Sequence, residues 1–221
     1  MNVNSFNEQD AVKSYLKLML EFRTRHEIVV AALDGKMPLS PPYAREYCYF
    51  QLRRLCEITA LGCLSLHGNI KDVQSNSARN EWNAHKIMRL LGNKYAHFFP
   101  QSATIATDGK MHHLNANSVE GALTRDDFWR LYAKCGEVLH RGSIKSFENE
   151  RPLTKSDYDE LMEFHNSFIK LMNQHIITRS TGDSMFLISL LTPSGSPECS
   201  ILNFDMDRST IQIQRYDVKI D

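Results

Sequence analysis

The residues with the clearest chemical equipment are Arg79, Asn80 and His85, in the run Arg79-Asn80-Glu81-Trp82-Asn83-Ala84-His85. A histidine exchanges protons near neutral pH. An arginine holds a phosphate with a planar fork of donors while charge develops on it. An arginine, a polar neighbour and a histidine this close together carry the minimum for metal-free cleavage of a phosphodiester. The same residues also make an ordinary exposed polar helix turn, and in a chain with nine histidines the spacing arises by chance. Both readings stand at this point.

Two further segments echo the pattern with a residue out of place. Gly92-Asn93-Lys94-Tyr95-Ala96-His97 has glycine where the arginine belongs, and Lys134 to His140 has lysine, a point charge without the planar fork. They read as coincidence or as decayed sites. His97, His112 and His113 share one polar stretch, but no cysteine or carboxylate completes a metal-ligand spacing with them, so no metal is expected. His26, His165 and His175 fall on apolar seams and are expected to be hydrogen-bonded within or beside the core. Asp205 and Asp207 are too few for a calcium loop. The chain contains no Gly-x-Gly-x-x-Gly, no Walker sequence and no Gly-x-Ser-x-Gly elbow, so no cofactor is expected either.

The elements that must position these residues are mostly helices. Val12, Tyr15, Met19, Phe22, His26, Val29 and Leu33 recur at alternating spacings of three and four, which predicts a helix over about 8–33, ended by Gly35 and the prolines that follow. A second helix over about 42–66 is apolar nearly all round and so should be central, with Arg53, Arg54 and Glu57 as a charged cluster on its remaining face. A third is predicted over 77–91. Periodicity is lost over about 95–121, which reads as a long loop with a short two-stranded excursion at Asp108-Gly109. Thr124 with Asp127 and Thr154 with Asp157 have capping-box spacing, and predict helices to about 140 and to about 178. The last carries a stripe of Tyr158, Leu161, His165, Phe168, Met172 and His175. Three short strands over 184–191, 198–204 and 210–218 read as a meander. The expected fold is therefore mainly α: a multi-helix bundle over 1–180 with a small C-terminal antiparallel β-meander over 181–221 packed on it, an α+β arrangement.

Composition bounds the partners. Lysine plus arginine and aspartate plus glutamate number 26 each, so the formal net charge is zero. That argues against coating of double-stranded DNA, whose binders show a basic excess, and leaves room for a local basic patch. The five cysteines are scattered and make no Cys-x-x-Cys pair, which predicts reduced thiols and a cytoplasmic location. The first ten residues lack the basic and apolar regions of a signal peptide, and no apolar run approaches the roughly 20 residues of a membrane span, so no membrane is expected.

The segments Leu52-Arg-Arg-Leu-Cys-Glu-Ile-Thr-Ala-Leu-Gly-Cys63, Phe98-Phe99-Pro100 and Leu123-Thr-Arg-Asp-Asp-Phe128, continuing to Cys135-Gly-Glu-Val-Leu-His140, resemble a group of uncharacterised bacterial helical proteins with a short β-rich tail. The resemblance covers most of the chain and implies a bacterial or mobile-element origin. At motif level, Arg79, Asn80 and His85 resemble the site of HEPN ribonucleases, which implies a helical bundle, the RNA 2′-hydroxyl as nucleophile, and a site assembled across a dimer. The helix from Leu131-Tyr132 to Leu139-His140 also resembles helices of HEPN-like families, but the arginine of their motif is missing there. Two functions follow as expectations. One is a non-catalytic accessory or interaction protein, of a mobile-element or phage-defence system, acting on a protein partner or a second copy of itself. The alternative is a metal-independent ribonuclease with RNA as its substrate.

Overall fold

The computed structural model describes residues 6–109, 111–140, 142–148, 151–193, 195–204 and 211–217. Helix α1 (Glu8–Leu33) starts at Asn7, whose side chain accepts the backbone N–H groups of Gln9 and Asp10. It stops at Gly35, where left-handed backbone (φ 70°) lets the N–H of Lys36 reach the Ala31 carbonyl. Val12, Tyr15, Met19, Phe22 and Val29 are buried, as the heptad spacing predicts. Helix α2 (Pro41–Leu66) takes proline at its first position, lies along α1, and is covered as well by α4 (Ala84–Gly92), α5 (Arg125–Leu139) and α7 (Lys155–Met172). Leu52, Leu55, Cys56, Ala60 and Cys63 are completely enclosed. The charged cluster forms on α2 as expected: Arg53 and Arg54 reach Glu57 at 3.3 and 2.8 Å.

The single helix expected over 77–91 is corrected. A 3-10 turn (Lys71–Gln74) and the four-residue α3 (Asn76–Arg79) come first, and α4 starts only at Ala84. Side chains take the backbone donors that a continuous helix would need. The Glu81 carboxylate accepts the N–H groups of Trp82 and Asn83, and Asn83 in turn caps α4 by accepting from Lys86 N. Both capping boxes are present, at Thr124 before α5 and at Thr154 before α7. The short α6 (Ile144–Glu148) lies between those helices.

Two segments read as other things belong to the sheet. The 95–121 loop contains a full hairpin, β1 (Gln101–Asp108) and β2 (Met111–Ala116), larger than the excursion expected at Asp108-Gly109. The last helix does not reach 178; it ends at Met172, and the next residues form β3 (Gln174–Thr178). Strands β4 (Ser184–Ser189), β5 (Glu198–Phe204) and β6 (Ile211–Asp217) follow as the expected meander. All six make one antiparallel sheet in the order β2-β1-β3-β4-β5-β6, so the sheet is not confined to 181–221. Among the described residues, hairpin and meander are joined at Gln101 and Ser102, which pair with Ile176 and His175.

Register divides the sheet into two faces, because paired residues share a side and successive residues alternate. His175, Ile177, Phe186, Ile188, Cys199 and Ile201 lie on the face that meets α1 and α7 and are buried. Ile176, Leu187, Thr178, Met185, Leu202 and Ile213 lie on the other. Among the described residues, no helix is long and apolar enough to cross a membrane.

Histidines tie the layers together. His175 Nδ1 lies 3.0 Å from the Met172 carbonyl and must carry the proton there, so Nε2 accepts from the Tyr15 hydroxyl at 2.6 Å. His26 and His165 stack with their centroids 5.0 Å apart and share a ring–ring hydrogen bond of 2.9 Å between α1 and α7. The Tyr15 ring fits because residue 62 has no side chain: a Cβ there would stand 2.7 Å from Tyr15 Cε2.

Two outcomes are expected. Gly62→Ala gains helix propensity but forces the enclosed Tyr15 ring aside, and should lose about 1–2 kcal/mol in a denaturant titration. Burial lowers His165 and His175 to about 4 and lowers His26 as well. Unfolding returns each to its ordinary value, so below about pH 6.5 the unfolded chain binds more protons and stability falls with pH down to about 4. Thermal unfolding from pH 7 to 4.5 should show Tm dropping below pH 6.5, with a shallower slope in His165→Gln. A Tm independent of pH over that range would contradict the burial of these rings.

Candidate functional site

The residues singled out by their chemistry lie on either side of the break between α3 and α4. Arg79 is the last residue of α3, Asn80 follows it as the cap, and His85 is the second residue of α4. All three are exposed. The interruption between them takes Arg79 and His85 off a common helix face, and among the described residues no hydrogen bond joins their side chains. His85 is brought instead against α5, where its ring meets the edge of Trp129 at 4.8 Å and 72°. Trp82 is 62% exposed at the break. Lys86 and Arg89 are exposed on α4, with Glu81 held by Lys86 at 3.6 Å. The surface is therefore basic and aromatic in a chain of zero net charge.

The other spacings disperse. Lys134 is engaged by Glu160 at 3.2 Å and Glu137 at 3.8 Å, while His140 caps α5. His97 touches Tyr95, and His113 sits on β2 opposite Ala106; the His112 side chain lies outside the described residues. Among the described residues no three His, Cys, Asp or Glu side chains group closely enough to hold a metal ion. Asp205 and Asp207 also lie outside the described residues.

All five thiols are buried. Burial pushes Cys48 up to about 11 and Cys63, Cys135 and Cys199 up to about 12, so these four supply no thiolate near neutral pH. Burial also raises Cys56 well above the ordinary thiol value. The most strongly held carboxylate is Asp157. It takes a two-pronged contact from Arg151 (2.8 and 2.8 Å), the N–H and hydroxyl of Thr154 (2.8 Å each), and a longer one from Arg45 on α2 (3.9 Å). The Arg151 and Thr154 hydrogen bonds hold it well below the usual carboxylate range. It is a structural joint. Its Thr154 half is visible as a capping spacing, whereas Arg45, more than a hundred residues away, carries no sequence signal.

What spacing could not reveal is a pair of adjoining cavities where the β1–β2 hairpin leads into α5. The first, of about 690 Å³, is lined by the polar side chains of His97, Gln101, Asn117 and Arg125 over an apolar floor that includes Phe99 and Leu171. The second, of about 750 Å³, is lined by Asp127, Arg130, Glu160, Glu163 and Lys170. They share the wall formed by Gly121, Ala122 and Thr124, which the Leu123 N–H ties to α7 through the Ser167 carbonyl at 2.8 Å. Asn117 and Gly121 shape that wall with left-handed backbone (φ 52° and 70°). Among the described residues, the first cavity has the Arg125 guanidinium as its one full charge, and in the second three acids face two bases.

Compared with family models, with curated proteins and with solved structures, the chain finds no significant match in any of the three.

Proposed function

We propose that this chain is a non-catalytic interaction protein that works through protein–protein contacts. The observation that supports the reading is the sheet face turned away from the helices. Its rung Thr178–Met185–Leu202–Ile213 puts a threonine and three apolar side chains in register across four strands, half-buried at Thr178 and Met185, buried at Leu202 and exposed at the edge strand β6. Ile213 there is 57% exposed. A largely apolar row running to an edge whose backbone groups, among the described residues, meet no further strand of the sheet offers both a surface to bury and a ladder to extend. The catalytic alternatives that need a buried nucleophile have little to work with, since the thiols are enclosed and the buried histidines are engaged in tying layers together.

A second reading, a metal-independent ribonuclease using Arg79, Asn80 and His85, is favoured by one observation. The exposed Trp82 lies within seven residues of the exposed Arg79, Lys86 and Arg89 along the chain, and bases stack on aromatic rings while cations follow the phosphates. The helix break takes Arg79 and His85 off one helix face, so this reading requires a second copy of the chain to complete the site.

The two readings separate experimentally. Tagged protein captured from its native cells should carry a protein partner in fixed stoichiometry, and Ile213→Asp should release it while shifting stability by no more than about 0.5 kcal/mol. Wild-type protein that captures no partner, or a partner indifferent to Ile213→Asp, would remove the first reading. RNA cleaved by the purified protein and spared by a folded His85→Ala variant would put the second in its place.

A further inference from the structure

The cavity of about 690 Å³ is unlike its neighbour in having no internal counter-charge. Among the described residues no carboxylate lines it. Arg125 takes part in no ion pair there, and the side chains of His97, Gln101 and Asn117 make no hydrogen bond, the His97 ring having only its edge contact with Tyr95. The acids of the same region are turned elsewhere. Asp127 lines the second cavity and is held by Thr124 and Arg130, while Glu120 and Asp126, both exposed, line neither cavity although Glu120 follows the lining residue Val119 and Asp126 follows Arg125. Four polar residues from a loop, a strand, a turn and a helix thus line one cavity, and among the described residues their side chains make no hydrogen bond or ion pair.

From this we infer that the cavity binds a small organic phosphate ester. A guanidinium fork, an imidazole and two amide NH₂ groups supply more donors than the two oxygens of a carboxylate can use. The three terminal oxygens of a phosphate monoester match them better. The volume suits a small molecule rather than a bare ion, and Phe99, Leu123 and Leu171 offer an apolar wall for the body of the ester. Phe99 and Leu171 hold that wall in place from within the packed core, since Phe99 packs against it and Leu171 is part of it. Gln101 pairs with Ile176 on that side of the sheet, but the site includes neither Ile213 nor any other residue of the Thr178–Met185–Leu202–Ile213 rung, so it stands or falls separately from the interaction reading.

The test is isothermal titration of the full chain with phenyl phosphate and with adenosine 5′-monophosphate, each beside its dephosphorylated counterpart, phenol or adenosine. At least one ester should bind about tenfold or more tightly than its counterpart. Arg125→Gln should remove most of that difference, and Asn117→Gly should weaken it several-fold; both keep the fold, since Arg125 is exposed and glycine suits the left-handed backbone at 117. Unchanged thermal unfolding of the variants confirms that the loss is local. Neither ester preferred over its counterpart, or a preference that survives both substitutions, overturns the assignment.

Discussion

Helix α2 has too narrow a solvent face to hold its own charges, and much of the molecule is arranged around that constraint. Covered by α1, α4, α5 and α7, it still carries Arg45, Gln51 and Glu57 at positions that are almost fully enclosed. A charge taken out of water costs several kcal/mol unless another group replaces its hydration. Each therefore has a partner from a neighbour or from its own helix. Glu57 lies between Arg53 and Arg54. Gln51 accepts from Arg25 of α1 at 2.8 Å. Arg45 donates to the Asp157 backbone carbonyl at 3.3 Å and lies over the Tyr49 ring at 4.9 Å. Arg45 also lies 3.9 Å from the Asp157 carboxylate, and that carboxylate closes the Thr154 capping box where α7 begins. The start of one helix and the interior of another are thus set by one group.

With α7 placed, the sheet has its seat. His175 follows the end of α7 by only three residues, and its bond to Tyr15 holds β3 against α1. The rest of the sheet grows outward from that central strand, with the meander on one side and the hairpin on the other. The hairpin meets β3 through only two residue pairs, so beyond Ser102 it is a two-stranded ribbon extending past the sheet. Two strands alone are marginal in water. What steadies the base of the ribbon is the turn that follows it, where the Asn117 N–H reaches the Ser102 carbonyl at 2.6 Å and the Val119 N–H reaches the Ser102 hydroxyl at 3.4 Å. That turn is the wall of the first cavity.

The sequence was legible where a local device decides the outcome. The heptad seam of α1, the all-round burial of α2 and the threonine caps of α5 and α7 each depend on residues within a turn or two of one another. It was not legible where a distant partner decides. The spacing of His165, Phe168, Met172 and His175 continues a helical stripe, yet His175 belongs to β3. A central strand buried at His175, Ile176 and Ile177 alike shows no alternation to distinguish it from a helix. The break after Arg79 was hidden because Glu81 and Asn83 are ordinary helix-surface residues until their side chains take backbone donors. The cavity residues, at 97, 101, 117 and 125, have no common period at all. They meet only because β1 docks on β3.

A neutral chain conceals how its charges are distributed, and α5 shows how the distribution arises. Thr124, Arg125 and Asp127 lie within one turn, and in an unstructured chain Arg125 would have acids beside it for partners. The capping box removes that option. Asp127 turns back to accept from the Thr124 N–H at 3.1 Å and is held by Arg130, so its charge is spent on the side of the second cavity. The Thr124 and Arg130 hydrogen bonds, working against its partial desolvation, lower the Asp127 carboxyl below its ordinary value, so it stays an anion committed to that side. Arg125, one residue past the cap, is left lining the first cavity, in whose wall no carboxylate stands among the described residues. The same four-residue device that starts the helix therefore also sets the electrostatic boundary between the two cavities, and any residue change that opened the box would release an acid toward the cation it now keeps apart.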